Sequence, residues 1–133
     1  MMGNYSSVYA SGVHSNYPYS ELSHEVIGAA IQVQKVLGPG LLEKTYHTCL
    51  KIELGQRGIS FESEVPLPIV YRGVEVPFCY RMDLVVEGLV LLEIKAQETL
   101  PPTSNAQVLT YLRLSQLPLA LLFNFNNVPL KTE

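Results

Sequence analysis

Aspartate is almost absent from this chain: its 133 residues contain one, Asp83. Cysteine is nearly as scarce, and Cys49 and Cys79 are too few for a disulfide framework and lack metal-ligand spacing. Both are expected to be small interior hydrophobes, in keeping with a reducing, cytoplasmic compartment. No uncharged apolar stretch approaches the roughly 18 residues of a membrane span. The longest apolar run, Pro118 to Phe123, is strand-sized. Charged residues make up 16% of the chain, below the usual ~25%. Nine Lys and Arg against 12 Asp and Glu leave a net charge of −3, which argues against strong non-specific binding to phosphate backbones. Residues 1–20 contain no charged side chain and have neither a basic start nor an apolar centre, so no secretory signal is expected.

What is present suits one folded domain. The apolar share is 47%, and the length is near the modal size for a single core. The first 19 residues mix four tyrosines with Ser, Gly and Asn and offer no face to bury, which predicts an unstructured tail. From Ser20, apolar residues at Leu22, Val26, Ile27, Ala30, Ile31, Val33 and Leu37 follow a helical period that ends at Gly38-Pro39-Gly40. A second helix is expected from about Leu41 to Arg57, with Gly58 terminating it. Glu62 to Tyr71 alternates like a strand, but Pro66 and Pro68 cannot donate to a ladder, so it belongs at a sheet edge. Phe78 to Val86 and Leu89 to Ala96 read as a hairpin turning at Glu87-Gly88. Pro101-Pro102 breaks the chain, Thr103 or Ser104 can cap a third helix to about Ser115, and Pro118 to Phe125 is a last apolar strand. The element order is α-α-β-β-β-α-β, an α/β (α+β-like) arrangement over residues 20–133.

The chemistry lies where this pattern is violated. Asp83 interrupts an apolar strand, although Asp is disfavoured in strands and an unpaired buried carboxylate costs several kcal/mol. The neighbouring strand carries Glu93-Ile94-Lys95, with Glu93 and Lys95 on one face. Hairpin register decides whether the acids meet. A two-residue turn sets Asp83 opposite Leu92, whereas a three-residue loop, Glu87-Gly88-Leu89, pairs Asp83 with Glu93 at a Cβ separation of roughly 5 Å. The three-residue loop is the expected register. Two carboxylates and the Ile94 carbonyl are then hard oxygen ligands for Mg²⁺ or Mn²⁺, an ion that polarises a phosphoryl oxygen and activates water. Lys95 on the same face can orient that water or neutralise developing charge. These residues fit metal-assisted phosphodiester hydrolysis.

Gly40-Leu-Leu-Glu43-Lys-Thr-Tyr46 matches Gly-x-x-Glu-x-x-Tyr, and Tyr80-Arg-Met-Asp83, Leu92-Glu-Ile-Lys95 and Ala106-Gln-Val-Leu-Thr-Tyr111 follow in order. With these segments the stretch from about Ser20 to Asn126 resembles the GxxExxY family of the PD-(D/E)XK nuclease superfamily. The resemblance implies a restriction-endonuclease-like core with a mixed sheet flanked by helices. It implies catalytic positions for Asp83, Glu93 and Lys95, with Glu43 as an acid brought from the preceding helix. Gln107 and Tyr111, one helical turn apart, would contact nucleic acid or orient the site. Gly40 would allow close approach, with Tyr46 packing or hydrogen-bonding beneath it. The chain departs from the family pattern at Gln34 and at Ser104–Asn105, where histidine is common. Arg81, Arg72, Arg113 and Lys44 are candidate phosphate contacts, whereas His14, His24 and His47 read as incidental. The expected partner is nucleic acid, most readily DNA, with a second copy or a protein partner supplying further binding surface and no membrane involved. A fold kept for binding or assembly without turnover is the alternative.

Overall fold

A computed structural model describes residues 5–9 and 20–126. The elements run β1 (Tyr5–Tyr9), α1 (Ser20–Leu37), α2 (Glu43–Gln56), β2 (Phe61–Tyr71), β3 (Val74–Val86), β4 (Val90–Lys95), α3 (Pro102–Ser115) and β5 (Leu119–Asn124). The strands form one mixed sheet in the order β1-β5-β4-β3-β2. β4 and β5 are parallel, joined across α3, and the other pairings are antiparallel.

From Ser20 onward the expected order of elements holds. The central strands are short apolar runs buried on both faces, as a covered sheet requires. On one face α1 and α2 bring Val26, Ala30, Val33, Leu50 and Leu54 against Leu84, Leu92, Leu119, Leu121 and Phe123. On the other, α3 lays Val108, Tyr111 and Leu112 over Leu91, Ala120 and Leu122. Proline places β2 as anticipated. It is an outer strand, and its pairing with β3 slips between Leu67 and Ile69, at Pro68.

Several details depart from the sequence reading. Tyr5–Tyr9 lie within the expected tail yet pair antiparallel with β5. The reason lies in the backbone: without them the fully buried β5 would present a row of unpaired N–H and C=O groups at a sheet edge. Residues 10–19 of that tail, including His14, lie outside the described residues. α2 begins at Glu43, so Gly40 lies in the preceding loop and not on its face. An added Cβ at Gly40 would meet nothing within 4 Å, so close approach does not explain this glycine; its φ of 96° does. Tyr46 performs the expected task. Buried beneath the loop, its hydroxyl donates to the Gly38 carbonyl at 2.6 Å and accepts from Leu41 N–H at 3.1 Å. α3 starts at Pro102, with Pro101 and not Thr103 or Ser104 at the cap, because proline's preset φ suits a first helical residue. Cys49 is half-buried against the core, and the Cys79 side chain lies outside the described residues.

Candidate active site

The β3–β4 hairpin has the three-residue loop that sequence favoured. Val86 pairs with Val90, Val85 with Leu91 and Leu84 with Leu92, which brings Asp83 level with Glu93. Glu87 and Gly88 take positive φ, and the Leu89 N–H closes the turn on the Val86 carbonyl at 2.9 Å. Backbone pairing then stops. At the next step Asp83 N–H donates to Glu93 Oε2 at 3.0 Å, and Ile94 N–H donates to Asp83 Oδ2 at 2.8 Å. Each carboxylate has entered the gap between the strands and replaced a ladder carbonyl.

A strand irregularity makes room for this. Met82 and Val85, three residues apart, both pack on the α3 side, which regular alternation forbids. Directly across, β2 places Glu64 at φ 55°, between the pairs Ser63–Leu84 and Val65–Met82. The strand pair is therefore rotated at Asp83, and its carboxylate points toward β4. Because N–H and C=O of one strand residue point the same way, the Ile94 carbonyl faces this same gap.

The electrostatics follow from crowding. Glu93 is 3% exposed, and burial followed by the Asp83 charge pushes its carboxyl up to about 8, against the pull of the Asp83 N–H and Lys95. Burial also raises Asp83, opposed first by the Ile94 N–H bond and then by His47 and Lys95. Glu43, in the first turn of α2, is raised by partial burial and then by Asp83, while Lys95 and His47 lower it. Three acids and one lysine thus act as a single electrostatic unit. Lys95 Nζ lies 3.4 Å from Gln107 Oε1, and Gln107 Nε2 donates to the Tyr111 hydroxyl at 3.2 Å. Burial and the Glu93 charge raise the Tyr111 phenol in turn.

Asp83, Glu93, Lys95, Gln107 and Tyr111 are therefore brought together, with the Ile94 carbonyl facing them, and Glu43 bears on them through its charge interactions with Asp83 and Lys95. Arg81 is not part of this group. Tyr80 and Met82 face the α3 layer, so the exposed Arg81 between them turns to the other side, away from Gln107 and Tyr111. His47 is the residue the sequence reading missed. It stands one turn along α2 from Glu43, 3.5 Å from Ser63 Oγ and 3.9 Å from Glu64 Oε2, and its charge bears on both Glu43 and Asp83. The i, i+4 spacing of Glu43 and His47 was the available signal.

Among the described residues, no group of three or more His, Cys, Asp or Glu side chains is gathered as a ready metal cage. The donor set nevertheless suits a hard divalent cation. Asp83 Oδ1 and Glu93 Oε1 have no protein donor among the described residues, and the Ile94 carbonyl adds a third oxygen. Mg²⁺ is ordinarily held by one or two carboxylates with water and substrate phosphate making up the rest, so no closed cage is needed.

The family model of the PD-(D/E)XK nuclease superfamily matches residues 20–133. The chain belongs to that superfamily. Its three helices and five-stranded mixed sheet among the described residues have the restriction-endonuclease-like fold. Searches of curated proteins and of solved structures found no match. Membership suggests a nuclease, and nucleases of this superfamily generally use divalent metals on nucleic-acid substrates. No helix among the described residues of this PD-(D/E)XK domain is long and apolar enough to cross a membrane.

Proposed function

We propose that this PD-(D/E)XK domain, which resembles the GxxExxY family, is a Mg²⁺- or Mn²⁺-dependent nuclease hydrolysing phosphodiester bonds of nucleic acid, DNA foremost. The observation that carries the reading is the pair of carboxylates crossed in the mouth of the hairpin, Asp83 on the Ile94 amide and Glu93 on the Asp83 amide. Nothing in the packing of an apolar sheet calls for two carboxylates at this point, where burial disfavours their charge.

Asp83, Glu93 and the Ile94 carbonyl would hold the ion, with Glu43 bordering them. When bound, a divalent cation supplies Lewis acidity toward a phosphoryl oxygen. The chain's own residues divide the remaining work. Backbone amides hold both carboxylates in place, which limits the reorganisation needed on binding. Lys95, oriented by Gln107, can donate to a phosphate oxygen as negative charge develops there. Glu43, whose carboxyl is raised by partial burial and the Asp83 charge, can accept a proton from attacking water. Tyr111 fixes the Gln107 amide and leaves its carbonyl oxygen for Lys95.

The test is incubation of purified protein with plasmid, single-stranded DNA and RNA in Mg²⁺, Mn²⁺ or chelator. Metal-dependent cleavage that disappears in Asp83→Ala is the expected result. Cleavage persisting in chelator or in that variant excludes this mechanism. Salt-sensitive binding without any cleavage identifies the alternative, a fold retained for nucleic-acid binding or assembly.

A further inference from the structure

A groove of about 440 Å³ lies between α3 and the outer half of the β2–β3 hairpin, beside the carboxylate pair and sharing Gln107 and Tyr111 with the candidate site. Its walls include Ile69, Tyr80, Thr103, Gln107, Thr110 and Tyr111, and none of its lining side chains is charged. The volume falls in the roughly 300–1,000 Å³ range of small-ligand sites. Tyr80 is 53% exposed and leans on Tyr111 with ring centroids 5.9 Å apart and planes at 56°. Gln107 belongs to both regions, lining the groove while its Oε1 lies 3.4 Å from Lys95 Nζ. An occupant of the groove therefore sits one side chain away from the lysine at the carboxylate pair.

We propose that this groove takes one unpaired nucleobase next to the phosphate being cleaved, so that the substrate is single-stranded nucleic acid or a single-stranded end. The proposal rests on the nuclease reading above and adds the substrate class to it. Three observations converge. An uncharged, mostly apolar cleft with an exposed aromatic ring suits the flat face of a base and not a phosphate. Two threonine hydroxyls and a glutamine amide in those walls can meet the polar edge of the base. A base within a duplex is covered on both faces and cannot enter without leaving the stack, whereas an unpaired base enters freely. Charge points the same way. A chain with net charge −3 is poorly equipped to grip a duplex through its phosphates, and base–aromatic stacking supplies affinity without that requirement.

Binding in chelator tests the groove separately from cleavage. The probes are labelled 12-nucleotide DNA and RNA single strands and the same DNA sequence as a duplex, followed by anisotropy. Single strands should bind at least ~10-fold more tightly than the duplex, and the two single strands reveal which sugar is preferred. Tyr80→Ala should weaken single-strand binding about 5- to 100-fold, whereas Tyr80→Phe, which keeps the ring, should stay within ~2-fold. Ala106→Phe, on an exposed position of the groove wall, should fill the cleft and weaken single-strand binding with an unchanged thermal unfolding midpoint. Because the chain has no tryptophan, quenching of 2-aminopurine in the strand reports on tyrosine contact directly. Duplex binding as tight as single-strand binding overturns the proposal. So does no detectable single-strand binding, or single-strand binding that neither Tyr80→Ala nor Ala106→Phe alters. If groove variants weaken binding but no metal restores cleavage, the nuclease reading alone fails. If wild-type protein cleaves and those variants change nothing, the groove alone fails.

Discussion

The two halves of the β3–β4 hairpin are built from the same kinds of backbone and serve opposite ends. Near the turn, Val86, Val85 and Leu84 pair in register with Val90, Leu91 and Leu92, and all six side chains are buried. One step further, Asp83 and Glu93 take the places where ladder bonds would form. The first half lowers the free energy of the fold, and the second raises it by holding two acids in a place that disfavours their charge. The same strands thus supply rigidity at one end and strain at the other, and the rigid half keeps the acidic half from relaxing. Active sites are commonly arranged this way, with local instability held by its surroundings.

The sharpest way to break this contrast is to remove one partner from each half. Asp83→Ala should reduce cleavage roughly 10³-fold or more in a folded protein, measured as initial rate in Mg²⁺ alongside circular dichroism. Leu92→Ala should instead cost about 2–5 kcal/mol of stability in urea unfolding, because it opens a cavity in the closed half.

Titration sharpens the contrast further. Glu93 in the folded, metal-free protein has its carboxyl raised to about 8 from 4.5, so the native state binds more protons than the unfolded chain between those values. Metal-free stability should therefore be greatest below about pH 4.5 as far as Glu93 is concerned, and fall as pH rises toward about 8. Glu93→Gln should flatten that slope and stabilise the metal-free protein at pH 8 by on the order of a few kcal/mol, while abolishing cleavage. Thermal unfolding at several pH values in chelator reads it. Equal slopes for wild type and variant would show that Glu93 is not the strained member.

Smaller effects are expected around the rim. Gln107→Ala releases Lys95 and should slow cleavage by about tenfold with little change in stability, since Gln107 is only half-buried. His47→Ala removes an imidazole whose charge, when present, lowers Glu43 and Asp83. It should lower the rate severalfold and move the acidic limb of the pH–rate profile upward, whereas a purely packing role would leave that profile in place.

Much of this was legible in the chain because it depends on local pattern. Apolar spacing marks α1, the prolines mark β2 as an edge, and the lone Asp83 beside Glu93-x-Lys95 marks the candidate site through its misplacement in apolar strands. The register was legible for the same reason, since one loop length alone brings the acids together. The start of α2 was less so, because Tyr46 caps the loop from within the helix and no side chain caps the N-terminus in the usual way. His47 is not legible as a neighbour of the candidate site, because it reaches it through Ser63 and Glu64 of β2, and Tyr80 is not legible as a wall of the groove, because it meets Tyr111 of α3 only in the fold.

The sequence by itself determined the order of elements, the two outliers in the apolar hairpin and the face that Lys95 shares with Glu93, since these follow from hydrophobic period and side-chain alternation. Only the tertiary structure decided that Tyr5–Tyr9 close the far edge of the sheet, that the strand rotates at Asp83 opposite Glu64, and that a neutral groove opens beside Lys95. Those features arise where separate segments must satisfy one another's backbone groups and fill shared space, and that requirement is not written in any one of them.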